Sequence, residues 1–454
     1  MSRTVHLFTR DLRLMDHPAL EATEGEIIGL FVFTSAQVSQ QNKLRSERAM
    51  GFMMASLEEL NDALRRRGGG LWVEYGEETH VLEKLVRDRD VGQITITQDW
   101  TPYARDRLKR IEQWAEKKDI QVTEYRDLLT EEDPLTSSGN YYQVFTSYYK
   151  RLKGVTVPEP SRARRGDWLP PPAPFDRGVD SIRNQLIQAG SYTERELPLR
   201  GGREAALRIL RSFNPEDYDA TDCLDQPTSM LSAHHHFGTI SVRESYHSID
   251  SDSWREGLYW REFHYYVSRY WPGYYSYQHL FQEPKGDPRE LWSEDARSRL
   301  SAWKHGRTGV PIVDAIQRQL QEEGWIGNRE RLITGEFLVK ILRVPWKQGE
   351  RYFTRMLVDI DRAQNTGNWN WVSSFGLDRA RFLRIFNPWT QGERYDPDAQ
   401  YIKRWIPELE PVPAKELHKW YQYHSDWQSS YPAPIIQYSD ERDAFKKAWL
   451  ELYG

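Results

Sequence analysis

The sequence predicts an α/β plus all-α protein: an N-terminal doubly wound parallel sheet over residues 1–130, a linker over 131–200, and a C-terminal helical domain over 201–454. Three features of the chain point there. Short β-branched and aromatic runs alternate with helical periods through residue 130. The stretch 157–175, VPEPSRARRGDWLPPPAPF, is dense in proline and arginine, and beyond Arg203 strand alternation almost vanishes.

The elements follow in order. TVHLFT from Thr4, EIIGLFVF, LWVEYG, QITIT and IQVTEY read as buried strands, because apolar runs of this length suit a sheet covered on both faces. Ser46 is placed to cap a helix that stops at Gly68-Gly69-Gly70, with Met50, Met53, Leu57, Leu60 and Leu64 as its apolar stripe. Further helices fit 79–90 and 103–119. Strands alternating with helices imply parallel pairing and a crevice at the carboxyl ends of the strands. No G-x-G-x-x-G follows the first strand, so a standard dinucleotide site there is not supported. The 157–175 stretch is expected to run over the surface as a connector, and REAALRILRSF and VPIVDAIQRQLQEEGW are helical.

Composition narrows the class. A chain of 454 residues, 39% of them hydrophobic, can bury several cores. No run approaches the roughly 18 apolar residues of a membrane span, and the start MSRTVHLFTRDLRL carries charge where a secretory leader needs an apolar stretch. An intracellular, cytoplasmic protein without a membrane is expected. The single cysteine, Cys223, provides neither an internal disulfide nor a cysteine-based zinc site. A net charge of -5 gives no bulk attraction to nucleic acid, but DNA binding needs only a local basic face. The 18 Trp and 25 Tyr, gathered after residue 250, suit packing, base stacking or redox chemistry.

Several constellations carry chemistry. The run His234-His235-His236 suggests metal, yet three consecutive helical positions diverge and no carboxylate or cysteine completes a set, so no metal site is expected. TSMLS, 228–232, places hydroxyls before a helix, which suits a phosphate or a plain N-cap. In WREGLYWREF, Trp254 and Trp260 stand beside Arg255 and Arg261, a pattern for a stacked base and its phosphate, or for core with exposed arginines. Asn328, Arg331, Asp359, Asp361 and Asn365 bring polar groups into an apolar helical region beside Trp369 and Trp371. Arg331 and Asp359 are natural partners, either as an ion pair between helices or as part of a site for a large polar cofactor.

TRDLRLMDHPAL, TSMLSAHHHFGTIS, YWREF, GRTGVPIVDAIQRQL, GWIGNRERLITGEFLVKILRVPW, NTGNWNW and RIFNPWTQGERYDPDAQYIKRW follow one another along the chain. In this order they resemble the photolyase and cryptochrome flavoproteins over essentially the whole length, most closely the class I cyclobutane pyrimidine dimer photolyases. The resemblance implies an antenna domain, a helical domain binding flavin adenine dinucleotide (FAD), and light-driven splitting of dimers flipped out of UV-damaged DNA by a monomer. It also implies room for a second antenna chromophore, a deazaflavin, a folate or a second flavin, among which the motifs do not choose.

By position, the resemblance assigns Thr228, Ser229, Met230, Leu231, Ser232, Trp254, Arg261, Arg331, Asp359, Ile360, Asp361 and Asn365 to FAD, with Asn365 facing the flavin N5. Plant-type cryptochromes usually have aspartate at that place, so asparagine leans toward repair. Trp260, Asn328, Arg329, Leu332, Trp371 and Gln391 fall to lesion and DNA, and Trp292, Trp346 and Trp369 to a relay that photoreduces the flavin. The match at Trp292 requires a one-residue gap.

The chain also departs from the pattern. Gly257 stands where dimer-specific enzymes have glutamate, Leu332 replaces methionine, Phe375 replaces a small residue, and the segment around Asp217-Tyr218 is longer and lacks an arginine. These departures leave open a cryptochrome-type photoreceptor, against which stands the short sequence after the last motif, and a DNA-binding flavoprotein without photochemistry. A (6-4) photoproduct enzyme is disfavoured, since no histidine pair flanks Gly327-Asn328.

Overall fold

The computed structural model describes residues 3–454 apart from 131, 165, 173–177, 191, 195–196, 217–223, 225–227, 272, 277–282 and 379–382. Asp217, Tyr218 and Cys223 therefore lie outside the described residues. Five parallel strands, β1 (Arg3–Leu7), β2 (Ile27–Phe33), β3 (Leu71–Tyr75), β4 (Val91–Thr97) and β5 (Gln121–Tyr125), pair in the order β3-β2-β1-β4-β5. This is the doubly wound sheet expected from the alternating pattern.

β2 is buried along its whole length, as its uninterrupted apolar run requires. β1 stops two residues short of the sequence expectation because the Thr9 amide turns to donate to Asp11 Oδ1 at 2.8 Å. Ser46 caps the Glu47–Arg65 helix by accepting from the Ala49 amide, and four of the five stripe residues are buried, with Met53 partly so. The helices expected at 79–90 and 103–119 span Glu78–Asp88 and Pro102–Glu116.

The 131–200 segment is more than a surface connector. It contains the helices Phe145–Leu152 and Gly178–Gln188. The Ile27 amide donates to the Asp167 carbonyl and the Leu169 amide to the Ile27 carbonyl, which plants Trp168 in the core. A Cβ on Gly69 would stand 2.3 Å from the Trp168 Cβ, so this glycine makes room for the tryptophan as well as ending a helix.

Beyond residue 200 the described elements are helical, including a fully buried π-helical stretch, Phe337–Ile341. No described helix is long and apolar enough to cross a membrane. The two domains meet at the switch point between β1 and β4, where the strand order reverses. Arg10 follows β1 and Asp99 follows β4; the Arg10 guanidinium reaches Asp99 at 3.5 Å and Asp361 of the helical domain at 2.7 Å. The loop that aims Arg10 is held from below by buried Asp11, whose Oδ2 meets His6 Nε2 at 3.1 Å and His17 Nε2 at 3.2 Å. In this protein the switch-point crevice is thus the seat of the helical domain.

Candidate active site

A cavity of about 480 Å³ opens in the helical domain. Two helices supply much of its lining, each for a local reason. The Asp252–Tyr270 helix, capped by Ser251 through the Trp254 amide, contributes Trp254, Gly257, Leu258 and Arg261, one face of a 3.6-residue repeat. The Arg362–Val372 helix, capped by Asp361 through the Gln364 amide, contributes Gln364, Asn365, Asn368, Trp369 and Val372 on the same principle. The remaining walls come from the loop 228–232, the segment 325–332 and the stretch 359–361, with His235, Phe353 and Leu357 between them.

Asp361 is the most heavily engaged group. Its Oδ2 accepts from Arg10 at 2.7 Å and from the Tyr265 hydroxyl at 2.5 Å, with His236 Nδ1 at 3.4 Å. Burial alone would raise its pKa, but the Arg10 charge and the His236 contact hold it well below the ordinary carboxylate range. Asp359 receives two hydrogen bonds from one Arg331 nitrogen, at 3.0 and 2.8 Å, while Arg331 Nε donates to the Ile326 carbonyl. This is the pair expected from the sequence. Asn365 is buried, and its side-chain amide donates to the Glu350 carbonyl and Thr354 Oγ1, both at 3.2 Å.

The 228–232 loop places Met230 in the left-handed region at φ +52°, and Ser229 Oγ accepts from the Leu231 amide at 3.4 Å. Leu231, with no side-chain cap, stands before the short Ser232–Phe237 helix, so neither Thr228 nor Ser229 acts as its N-cap. Thr228 Oγ1 is buried without a hydrogen-bond partner, as is Arg261 Nε. Orphaned donors facing a polar cavity suit a phosphate-bearing ligand such as FAD. Arg261 also lies 4.6 Å over the Tyr265 ring and donates to Glu262 Oε1 at 2.8 Å.

The three histidines diverge as expected. His234 faces Thr239 at 2.8 Å, His235 faces Ser245 at 2.7 Å, and His236 faces Asp361. Burial lowers the pKa of His234 to about 3 and that of His235 well below its ordinary value.

Of the residues singled out in the sequence, Thr228, Ser229, Met230, Ser232, Trp254, Arg261, Asn328, Arg329, Arg331, Leu332, Asp359, Ile360, Asp361, Asn365 and Trp369 line this one cavity, and Leu231 is buried behind it. Trp260 and Trp371 do not. Trp260 lies roughly 110° around its helix from the cavity face and stacks on Phe145 at 3.6 Å. Trp371 sits on the flank of the 361–372 stripe and packs, partly buried, against the large helical core. Gln391, in the Pro388–Tyr395 helix, also lies away from the cavity, with its Oε1 buried and unpartnered.

Trp369 is buried against Phe353 at 5.1 Å and Trp303 at 6.5 Å. Gly349 permits that approach, since a Cβ there would stand 2.2 Å from the Trp369 ring. Trp346 is buried three residues before this glycine, and Trp292 meets Phe375 edge-on at 6.4 Å. Sequence reasoning missed Arg10, Tyr265 and Glu330, and weighed His236 only as a metal ligand. Arg10 lies 351 residues from its partner Asp361, so no spacing signals the contact.

Known proteins match over both domains. A family profile described as DNA photolyase covers residues 4–164, and one described as the FAD binding domain of DNA photolyase covers 254–451. A deoxyribodipyrimidine photo-lyase of Streptomyces griseus is 32% identical, over 99% of each chain. The crystal structure of an archaeal photolyase from Sulfolobus tokodaii with two FAD molecules superposes with a TM-score of 0.86 at 34% identity, over 99% of each chain. A Synechocystis cryptochrome shares the fold, with a TM-score of 0.85 at 24% identity over 98% of this chain and 99% of its own.

Proposed function

This chain belongs to the DNA photolyase family, and on that premise we propose that it splits cyclobutane pyrimidine dimers in UV-damaged DNA under blue or near-UV light. Bound in this cavity and fully reduced, FAD would supply, on excitation, the electron that splits the dimer and take it back afterwards. The protein's part is to hold, orient and shield. Thr228, Ser229 and Ser232 would supply hydroxyls for the cofactor's phosphates, and Arg261 charge. Asp359 and Asp361, fixed by Arg331 and Arg10, give the cavity carboxylates of defined position. Asn328, Arg329, Leu332, Trp260, Trp371 and Gln391 are assigned to lesion and DNA, and Trp292, Trp346 and Trp369 to the relay that photoreduces the flavin.

Asn365 carries the reading. It is a buried, neutral amide in the cavity wall, anchored by two hydrogen bonds, and it puts no negative charge beside the reduced cofactor. Incubation of the purified protein, with its flavin reduced, on UV-irradiated oligo-thymidine should remove dimers under blue light and not in the dark. Unchanged dimer content in the light would refute repair.

A second reading, a blue-light photoreceptor that has lost repair, is favoured by Gly257 and Leu332, which leave the cavity without two of the expected side chains. The second FAD of the Sulfolobus tokodaii photolyase supports an antenna chromophore here as well. An absorption spectrum of the purified protein distinguishes folate, deazaflavin and second flavin.

A further inference from the structure

Three acidic side chains line the cavity, and they are treated differently. Asp359 is held by Arg331 and Asp361 by Arg10. Glu330 is only 6% exposed, yet no cationic side chain among the described residues pairs with it. It stands at the third position of the Asn328–Glu336 helix and accepts from its own backbone amide. Its carboxyl lies over Gly327, where an added Cβ would stand 2.5 Å from Glu330 Oε2. The missing side chain at 327 is the space that the Glu330 carboxyl uses. On the facing helix, Gly257 presents no side chain to the same cavity.

We propose that Glu330 is a substrate-contacting residue whose carboxyl O–H donates a hydrogen bond to a carbonyl oxygen of the pyrimidine dimer. The proposal rests on the repair reading given above. Each pyrimidine of a dimer offers imide carbonyls, which accept and never donate, so a neutral carboxyl complements them while a carboxylate repels them. The contrast grows once an electron is added to the dimer and its carbonyl oxygens gain charge. Burial pushes the Glu330 carboxyl up to about 7, opposed in part by its own amide and by the charges of Arg331 and Arg329.

The other charged groups around it are committed elsewhere. Arg331 holds Asp359, and Arg329 lies 4.5 Å over the Tyr395 ring. Glu323, on the packed Pro311–Glu323 helix, accepts from Gln319, and Arg362, on the packed Arg362–Val372 helix, lies 6.0 Å over the Tyr275 ring. Across the cavity, Asp361 is held by Arg10, Arg261 pairs with Glu262, and His235 is hydrogen-bonded to Ser245.

The test compares the flavin-loaded parent with E330Q, E330L and G327A in two measurements between pH 6 and 8.5: dark binding of UV-irradiated oligo-thymidine, and dimers split per absorbed photon. In the parent, both should fall about tenfold as pH rises through the Glu330 transition, about the value of one hydrogen bond. E330Q, whose amide donates at every pH, should be flat. E330L and G327A should match the high-pH parent throughout, with flavin absorption unchanged. If E330L fails to fold, E330Q and G327A decide the matter. A parent pH profile retained in E330Q overturns the proposal, as does undiminished binding in E330L or G327A. Either result leaves repair itself standing, whereas a parent that splits no dimers removes the function and this proposal together.

Discussion

The two walls of the cavity are built on opposite principles. On the wall toward the α/β domain the carboxylate is saturated: Asp361 accepts from Arg10, Tyr265, His236 and a helix amide, and the unpartnered groups of the cofactor site are donors, Thr228 Oγ1 and Arg261 Nε. On the wall made by 327–332, Arg331 is committed to Asp359, but Glu330 pairs with no described cation and Gly327 leaves space. A carboxylate held at four points has a fixed position and, with the free donors of Thr228 and Arg261, suits a resident cofactor. Under the repair reading, the unsaturated wall keeps its hydrogen-bonding capacity for a ligand that comes and goes.

The contrast is broken most severely at Arg10. Arg10→Leu leaves the buried Asp361 carboxylate without its cation and should cost about 3–5 kcal/mol in urea unfolding. Asp361→Asn added to it should recover much of that loss, as a double-mutant cycle would record. The pH dependence has a definite sign. Asp361 titrates far lower folded than unfolded, so its stabilisation is full above the unfolded carboxylate range near 4 and is lost progressively as pH falls from there through the lower folded value. Arg10→Leu should flatten that acid limb; an unchanged limb would show that other carboxylates dominate it.

Next in size is Arg331→Met. The Arg331 side chain is 27% exposed against 3% for Asp359, so screening reduces the loss to about 2 kcal/mol. Weaker FAD retention on gel filtration should accompany it.

On the open wall the sign reverses. The Glu330 carboxyl is raised on folding, so its contribution is present below the unfolded value near 4.3 and is lost as pH rises through about 7. Glu330→Gln should therefore melt higher than the parent at pH 8, by roughly 1–2 kcal/mol of stability, with little difference at pH 4.

The smallest effect on stability is expected from Trp369→Phe, about 1 kcal/mol, because Phe353 and Trp303 still fill most of its surroundings. Its effect on function should be large. Illumination with an external reductant should reduce the flavin many times more slowly than in the parent, and an equal rate would remove Trp369 from the relay.

The parallel sheet was legible because β2 and its neighbours are buried on both faces and must be apolar throughout. The Arg331–Asp359 pair was legible because a buried charge needs a partner and the two lie in adjacent polar motifs. The 157–175 segment was not, since its prolines and arginines outweigh Trp168, whose burial depends on Gly29 and Gly69 in distant elements.

By itself the sequence determined the fold class and the membership of most cavity residues. Periodicity along one chain is a local property, and the ordered motifs carry the rest. Only the tertiary structure decided which acidic side chain is paired and which is left unpaired. It also decided that Trp260 and Trp371 flank the cavity instead of lining it, and that the α/β domain reaches across to fix Asp361 through Arg10. Those outcomes depend on which distant surfaces meet, and on the charge and space each finds there.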